Sequence, residues 1–401
     1  MNDVAHFTSA PAISPYPSLH AVEFTGARPD FRRLVLRGAM LELVTFGFYR
    51  FWLATDMRRH LWSHTVVDGD GLEYTGKPKE LLIGFLFALA ILLPIYVAYF
   101  WVGIEAERMQ TWASAPLFLF FYLFAQFALY RARRYRVTRT VWRGVRFGMG
   151  GSGLAYVGRF CLWTLAMMFT LGLLLPWRQA SLERYKMRHT AYGSLQGRFE
   201  GTGWGLFKRV WVIWLGGVAT IVLVGLLGLT GPGAIAAPFI IIGVLPFLYA
   251  AYKATEWGWW VSGIRFGEVA FESNLSRGAL IDLYWKVIGW SVLLIFLLGT
   301  WVTGVIMGAA LMDSSSLDFP TKAAVAAQTI PVLIGLGLGY LLLALCAGAI
   351  MRIYLTRDLW ARLAESATVH NLAAVEATVG QGAMASAIGE GFADSIDIGG
   401  F

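Results

Sequence analysis

The chain has 401 residues, 57% of them hydrophobic and 14% charged, with a formal net charge of +8. Soluble domains carry about 25% charged residues and rarely expose large apolar patches. These proportions exclude an ordinary soluble protein and point to a chain whose apolar side chains face lipid.

Residues 1–22 are rich in Pro, Ser and Ala and read as a disordered tail. The first 30 residues lack the basic start and apolar core of a cleavable signal peptide, so the first apolar helix is expected to act as an uncleaved signal. A spanning helix needs about 20 mostly apolar residues. In chain order the candidates are Leu34–Ala54, Leu81–Gly103, Ala113–Tyr130, Gly153–Trp177, Val210–Leu229, Gly233–Tyr252, Val287–Leu311 and Thr329–Met351. The first is the weakest, because Arg37, Glu42 and Arg50 interrupt it. Cys161 and Cys346 lie inside apolar runs, which argues against a disulfide framework. The expected fold is an all-α membrane protein: a polytopic helical bundle of about eight transmembrane helices over 23–362. An acidic tail without Lys or Arg follows over 363–401.

The bundle is expected to be built from diverged internal repeats. At a spacing of 125 residues, Thr45, Gly47, Trp52, Arg59, His64, Thr65 and Gly76 match Thr170, Gly172, Trp177, Arg184, His189, Thr190 and Gly201. That is seven identities in 32 positions, where residue frequencies alone give about two. A second pairing, at a spacing of 119, matches Gly144-Val-Arg-Phe-Gly148 to Gly263-Ile-Arg-Phe-Gly267. Repeats near 23–135, 136–255 and 256–362 follow from these pairings, the third being degenerate.

Orientation is not fixed by the charges. Lys and Arg divide almost evenly between the two sides of an eight-helix chain, favouring cytoplasmic termini only weakly. The basic segments Arg131–Arg146 and Arg178–Arg198 flank one apolar run on both sides. Two arrangements account for this. The repeats could be inverted, or Leu34–Ala54 and Gly153–Trp177 could dip into the membrane without crossing, which puts every basic loop on one side.

Candidate binding residues come from the repeated motif and from charges within apolar runs. Trp52 and Trp177 close their runs, and an indole at a helix end suits the headgroup layer. His64-Thr65 and His189-Thr190 follow at matching positions. Glu42 and Arg37 are ionisable groups within an apolar run, where charge is costly and by default functional. Asp56, His60 and His64 share one face if their segment is helical; the matching Ser181, Tyr185 and His189 do not repeat the set, and no metal site is expected. Arg131, Arg133, Arg134, Arg136, Arg139, Arg143 and Arg146 form a basic cluster between apolar helices, read as contacting anionic lipid headgroups rather than nucleic acid. No phosphate-binding loop, Gly-x-Ser-x-Gly or His-Glu-x-x-His is present, so neither an enzyme nor a cofactor is expected.

Several of these motifs resemble the YjgN-like family of bacterial inner-membrane proteins: Phe24-Thr-Gly26, Thr45-Phe-Gly-Phe-Tyr-Arg-Phe-Trp52, Glu73-Tyr-Thr-Gly76, Trp142-Arg-Gly-Val-Arg-Phe-Gly148, Thr170-Leu-Gly-Leu-Leu-Leu-Pro-Trp177 and Gly389-Glu-Gly-Phe-Ala-Asp394. One departure is Arg50-Phe51-Trp52, where the family commonly has a Pro before the Trp. The resemblance implies a multi-pass protein of the bacterial inner membrane and supplies no catalytic residues, because the family has no established function. The function expected is a transporter or channel for a small solute or ion; the alternative is a structural or lipid-interacting envelope protein.

Overall fold

The computed structural model describes residues 19–108, 114–313 and 322–376, with 378, 380 and 384. Residues 1–18 and most of 377–401 lie outside the described residues, so the two tails are only partly within it.

One arrangement occurs five times: a strand, a helical hairpin and a returning strand. The first unit is β1 (Leu19–Phe24), α1 (Arg28–Val44), α2 (Arg50–Ser63) and β2 (Thr65–Val67). The second opens with β3 (Asp70–Gly71) and β4 (Glu73–Tyr74), then runs through α3 (Pro78–Arg108), α4 (Ser114–Thr138) and β5 (Thr140–Trp142). The third is β6 (Val145–Met149), α5 (Gly153–Phe169), α6 (Leu175–Arg188) and β7 (Thr190–Tyr192). The fourth is β8 (Leu195–Phe199), α7 (Gly203–Gly228), α8 (Gly231–Gly263) and β9 (Ile264–Phe266). The fifth is β10 (Val269–Ser273), α9 (Ile281–Asp313), α10 (Lys322–Met351), a π-helical stretch Arg352–Asp358, α11 (Leu359–Glu365) and β11 (Ala367–His370).

The strands form one 11-stranded antiparallel sheet in the order β3-β2-β1-β11-β10-β9-β8-β7-β6-β5-β4. Its two ends, β3 and β4, are separated in the chain by Leu72 alone, so the sheet closes almost fully into a barrel and leaves little free edge. The closing partners β1 and β11 come from opposite ends of the chain, with His20 opposite Val369.

Each helical hairpin is clasped at its base by one backbone hydrogen bond. The residue after the leading strand donates to the carbonyl before the returning strand: Thr25 to His64, Thr75 to Arg139, Gly150 to His189, Glu200 to Gly263 and Asn274 to Ser366, all at 2.8–3.0 Å. All five hairpins therefore leave the barrel at the same end. The strand turns, such as Asp68-Gly69 and Arg143-Gly144, lie at the other.

Side chains alternate along the strands. The inner positions, among them Val22, Trp142, Tyr192, Val269 and Val369, form one apolar cluster. The 3-10 turn Leu372–Val375 after β11 adds Leu372 and Val375 to it, so the interior is packed rather than open. Burial pushes the Tyr192 hydroxyl up to about 12.

The expectation of a pure eight-helix bundle is corrected by this sheet. The described residues are 72% helical but carry an 11-stranded barrel-like sheet, and among them five helices, not eight, are long and apolar enough to cross a membrane. These are Pro78–Ile104, Gly203–Gly228, Ile235–Gly263, Ile281–Ala309 and Ile330–Glu365. Strands of two to six residues are too short for alternation to register against apolar runs of 20.

The run 113–130 falls in α4, which is not among the five, and the runs 34–54 and 153–177 are short hairpins rather than spans. Phe46 and Gly47, with φ of 51° and 88°, turn the first back; Leu171 and Gly172, with φ of 49° and 81°, turn the second. The left-handed region suits glycine and strains other residues. Each turn is secured alike. Thr45 Oγ1 donates to the Leu41 carbonyl at 2.7 Å and Thr170 Oγ1 to that of Ala166 at 3.2 Å. Gly47 N–H donates to Glu42 and Gly172 N–H to Met167. The apolar tips stand clear of the protein, with Phe46 95% and Leu171 85% exposed.

Candidate functional site

A helix pair buried in a membrane has no water to satisfy a charge, so ionised side chains there pair with one another. Several of the described charges do so, in two groups at different depths that together form a ladder below the barrel mouth. The uppermost group joins α4, α6 and α8. Glu183 on α6 is 8% exposed. It pairs with Lys186 one turn on and with Arg133 of α4 at 3.3 Å, and accepts a hydrogen bond from Trp260 Nε1 of α8 at 2.9 Å. Arg133 also lies over the Trp260 ring. Beneath it, Glu256 of α8 pairs with Lys253 at 2.6 Å and accepts from Gln179 Nε2 of α6 at 2.8 Å and from the Tyr252 hydroxyl at 3.2 Å.

The lowest group lies where the first hairpin ends. Arg352, opening the π-helical stretch, makes a two-pronged contact with Glu42 at 2.8 and 2.9 Å. Arg50 is within electrostatic reach of both. Counting about 1.5 Å per helical residue from the clasps, Glu183 and Arg133 lie about 9 Å below the barrel. By the same count Glu42, Arg50 and Arg352 lie about 20 Å below it.

The expected site residues separate into those that join this ladder and those that hold the fold. Glu42 joins it, through Arg352 rather than Arg37, which is exposed. His64 and His189 cap their helices: Nδ1 donates to the carbonyl of His60 at 2.7 Å and of Tyr185 at 2.8 Å, where the final turn leaves carbonyls unpaired. Thr65 and Thr190 donate to the carbonyls of Leu61 and Lys186, and Thr65 also accepts from Trp360 Nε1. Burial and the neighbouring His64 push the His60 imidazole down. Among the described residues no three His, Cys, Asp or Glu side chains are grouped to hold a metal. Trp52 packs beside Phe51, Leu81 and Tyr135, and Trp177 against Trp204 and Phe207.

Internal contacts of the clustered arginines include the following. Arg133 meets Glu183; Arg139, 4% exposed, meets Glu80 at 2.9 Å; Arg143 clamps Asp68 and Asp70 at a strand turn; Arg146 donates to Thr75 Oγ1 and the Thr138 carbonyl. Arg131, Arg134 and Arg136 lie in the last turns of α4.

A family profile described as bacterial protein of unknown function, DUF898, matches residues 19–395. The chain belongs to this family. The match agrees with the YjgN-like resemblance and carries no assigned activity. No curated protein and no solved structure matches the chain. With five apolar helices of spanning length, it is a transmembrane member of DUF898.

Residue reasoning did not find Glu183, Lys186, Lys253, Glu256 or Arg352. A signal was present for four of them: Glu183-x-x-Lys186 and Lys253-x-x-Glu256 are opposite charges three apart, which face each other on a helix.

Proposed function

We propose that the protein is a multi-pass inner-membrane transporter or channel for a small charged solute or ion, with its barrel and both chain ends on the cytoplasmic side. The observation that carries this reading is the two buried charge groups at different depths, Glu183 with Arg133 and Glu42 with Arg352. Paired charges about 20 Å below the barrel are costly to keep in a bilayer and characteristically line solute and ion routes. The apolar barrel interior directs the route sideways at the barrel mouth, beside Arg133 and Lys186.

Charge distribution supports the orientation. Of the 33 lysines and arginines, only Arg108 and Lys322 lie at the outer ends of the three long hairpins; positive charge concentrates on the cytoplasmic side. In a background with Cys161→Ala and Cys346→Ala, a thiol at Ser194→Cys in the barrel should label from the cytoplasm, and one at Thr230→Cys, between α7 and α8, from the far side.

The transport test is reconstitution into vesicles with a panel of charged solutes. Flux that falls at least tenfold in Glu42→Gln and Glu256→Gln is expected. Absence of flux across the panel, with anionic lipid tightly retained, would overturn transport in favour of a lipid-binding envelope protein. One observation favours that second reading: the first helix of every hairpin carries an exposed cation in its opening turns, at Arg32 and Arg33, Lys79, Arg159, Lys208 and Arg209, and Lys286. Such a collar sits at headgroup level.

A further inference from the structure

We infer that the third unit holds a binding site for a phosphate-bearing anion, in a cleft of about 440 Å³ lined by Arg159, Ser181, Arg184, Tyr185, Arg188 and His189. The inference stands apart from whether a solute crosses the membrane. Its cations come from two helices. Ser181, Arg184 and Arg188 recur at helical spacing along one face of α6, while Arg159 reaches over from α5, its guanidinium 4.8 Å above the Tyr185 ring.

The walls are fixed. The Tyr185 hydroxyl donates to the Ser152 carbonyl at 2.8 Å and accepts from Ser152 N–H at 3.0 Å. His189 is held by the Tyr185 carbonyl. Arg184 is steadied by one bond, to the Gly201 carbonyl at 3.3 Å, leaving most of its five donors for a ligand.

The charge pattern separates this cleft from the ladder behind it. The opposite face of α6 pairs Glu183 with Lys186 and Arg133. Among the described residues, no carboxylate pairs with Arg159, Arg184 or Arg188. Three forked guanidiniums around one space, without a counter-charge, match the oxygens of a phosphate. The volume exceeds a bare phosphate and suits a phosphate with an attached group.

The first unit is a built-in comparison. At its matching positions stand Leu34, Asp56, Arg59, His60, Ser63 and His64. Arg59 repeats the anchoring bond of Arg184, donating to the Gly76 carbonyl at 3.0 Å. That bond therefore belongs to the shared hairpin, whereas Arg159 and Arg188 are additions of the third unit and make the cleft. The cleft lies about 7–9 Å from the barrel-end clasp, by helical rise, where both a lipid headgroup and a soluble phosphorylated molecule can reach it.

The test uses the full chain in detergent. One arm measures retention of phosphatidylglycerol against phosphatidylcholine after delipidation, by mass spectrometry. The other measures binding of glycerol 3-phosphate and inorganic phosphate by calorimetry. Arg159→Gln and Arg188→Gln should each weaken phosphate-dependent binding roughly tenfold, Arg188→Lys should weaken it less, and Arg59→Gln should leave it unchanged. Retention of phosphatidylglycerol without soluble binding identifies a headgroup site; soluble binding that displaces the lipid identifies a free phosphorylated ligand. Equal binding of wild type and the double Arg159→Gln/Arg188→Gln variant in both arms overturns the proposal, as does equal loss in Arg59→Gln. The exposed positions of Arg159 and Arg188 and an unchanged unfolding temperature guard against a folding defect.

Discussion

The first and third units are nearly the same object built twice, and their differences are where chemistry enters. Both have a 17-residue helix, a Thr-x-Gly reversal through the left-handed region and a 14-residue return helix ending in His-Thr. Both cap the return helix with the histidine and anchor an arginine on the next lead-in glycine carbonyl. The repeated residues are thus the ones that shape a half-depth hairpin. The charges differ. The first unit reaches across to Arg352 through Glu42, at its tip. The third pairs Glu183 near the barrel mouth and opens a basic cleft on the opposite helix face. A shared backbone fixed the depth of these hairpins, and unshared side chains decided what each holds there.

The sharpest way to break this comparison is to remove the buried acids. Glu183→Ala strands Arg133 and Lys186, and Glu42→Ala strands Arg352; each should cost about 3–5 kcal/mol, because a buried charge is left unpaired. Chemical unfolding in detergent measures it. The double variant Glu42→Leu/Arg352→Leu should recover most of the loss; failure to recover would mean that the pair holds more than its own charge.

The reversals come next. Gly47→Ala and Gly172→Ala put a Cβ on backbone at φ of 88° and 81°, and each should cost about 1–2 kcal/mol. No neighbouring atom lies within 4 Å of either added Cβ, so the two losses should agree closely. A clear difference in unfolding midpoint would separate the two turns.

A smaller effect is expected at Trp62. Its Nε1 donates to Thr140 Oγ1 at 2.9 Å and its ring stacks on Trp360. Trp62→Phe leaves that bond unmade and should cost about 1–2 kcal/mol, read as faster hydrogen exchange at β2 and β5. Met187 holds the matching position in the third unit, so Met187→Leu should leave exchange at β7 unchanged.

The smallest effect is one of pH. The Arg143 hydrogen bond holds the Asp68 carboxyl below its ordinary value of 3.8. The folded state then binds its proton less readily than the unfolded chain. This contribution is present above the ordinary value and is lost as pH falls through the depressed one. Hydrogen exchange at the Asp68-Gly69 turn should therefore quicken relative to its neighbours in acid, and Asp68→Asn should abolish the difference. The corresponding turn of the third unit, Gly193-Ser194, carries no such group and should not respond.

Much of the helical part was legible. Long uncharged runs mark α3, α7, α8, α9 and α10, because exclusion from lipid acts on every residue of a span. The left-handed glycines are visible as a repeated Thr-x-Gly. The strands were hidden: Glu73–Tyr74 and Thr190–Tyr192 carry too few residues for a period of two. The site was legible only in part. Glu42 stood out as a charge in an apolar run, but its partner Arg352 lies 310 residues away. Arg159 and Arg188 meet across two helices of a hairpin, a pairing that no local pattern marks.

The sequence alone determined that this chain lives in a bilayer, because its apolar content leaves no aqueous solution for so many exposed side chains. It also determined that the segment after Thr45 and the segment after Thr170 share one local conformation, since glycine and threonine act on their own few bonds. Which segments cross and which turn back, that β1 and β11 from opposite chain ends close a barrel, and which acid meets which arginine were decided by tertiary structure. Those outcomes depend on partners distant in the chain, and no local propensity encodes a partner.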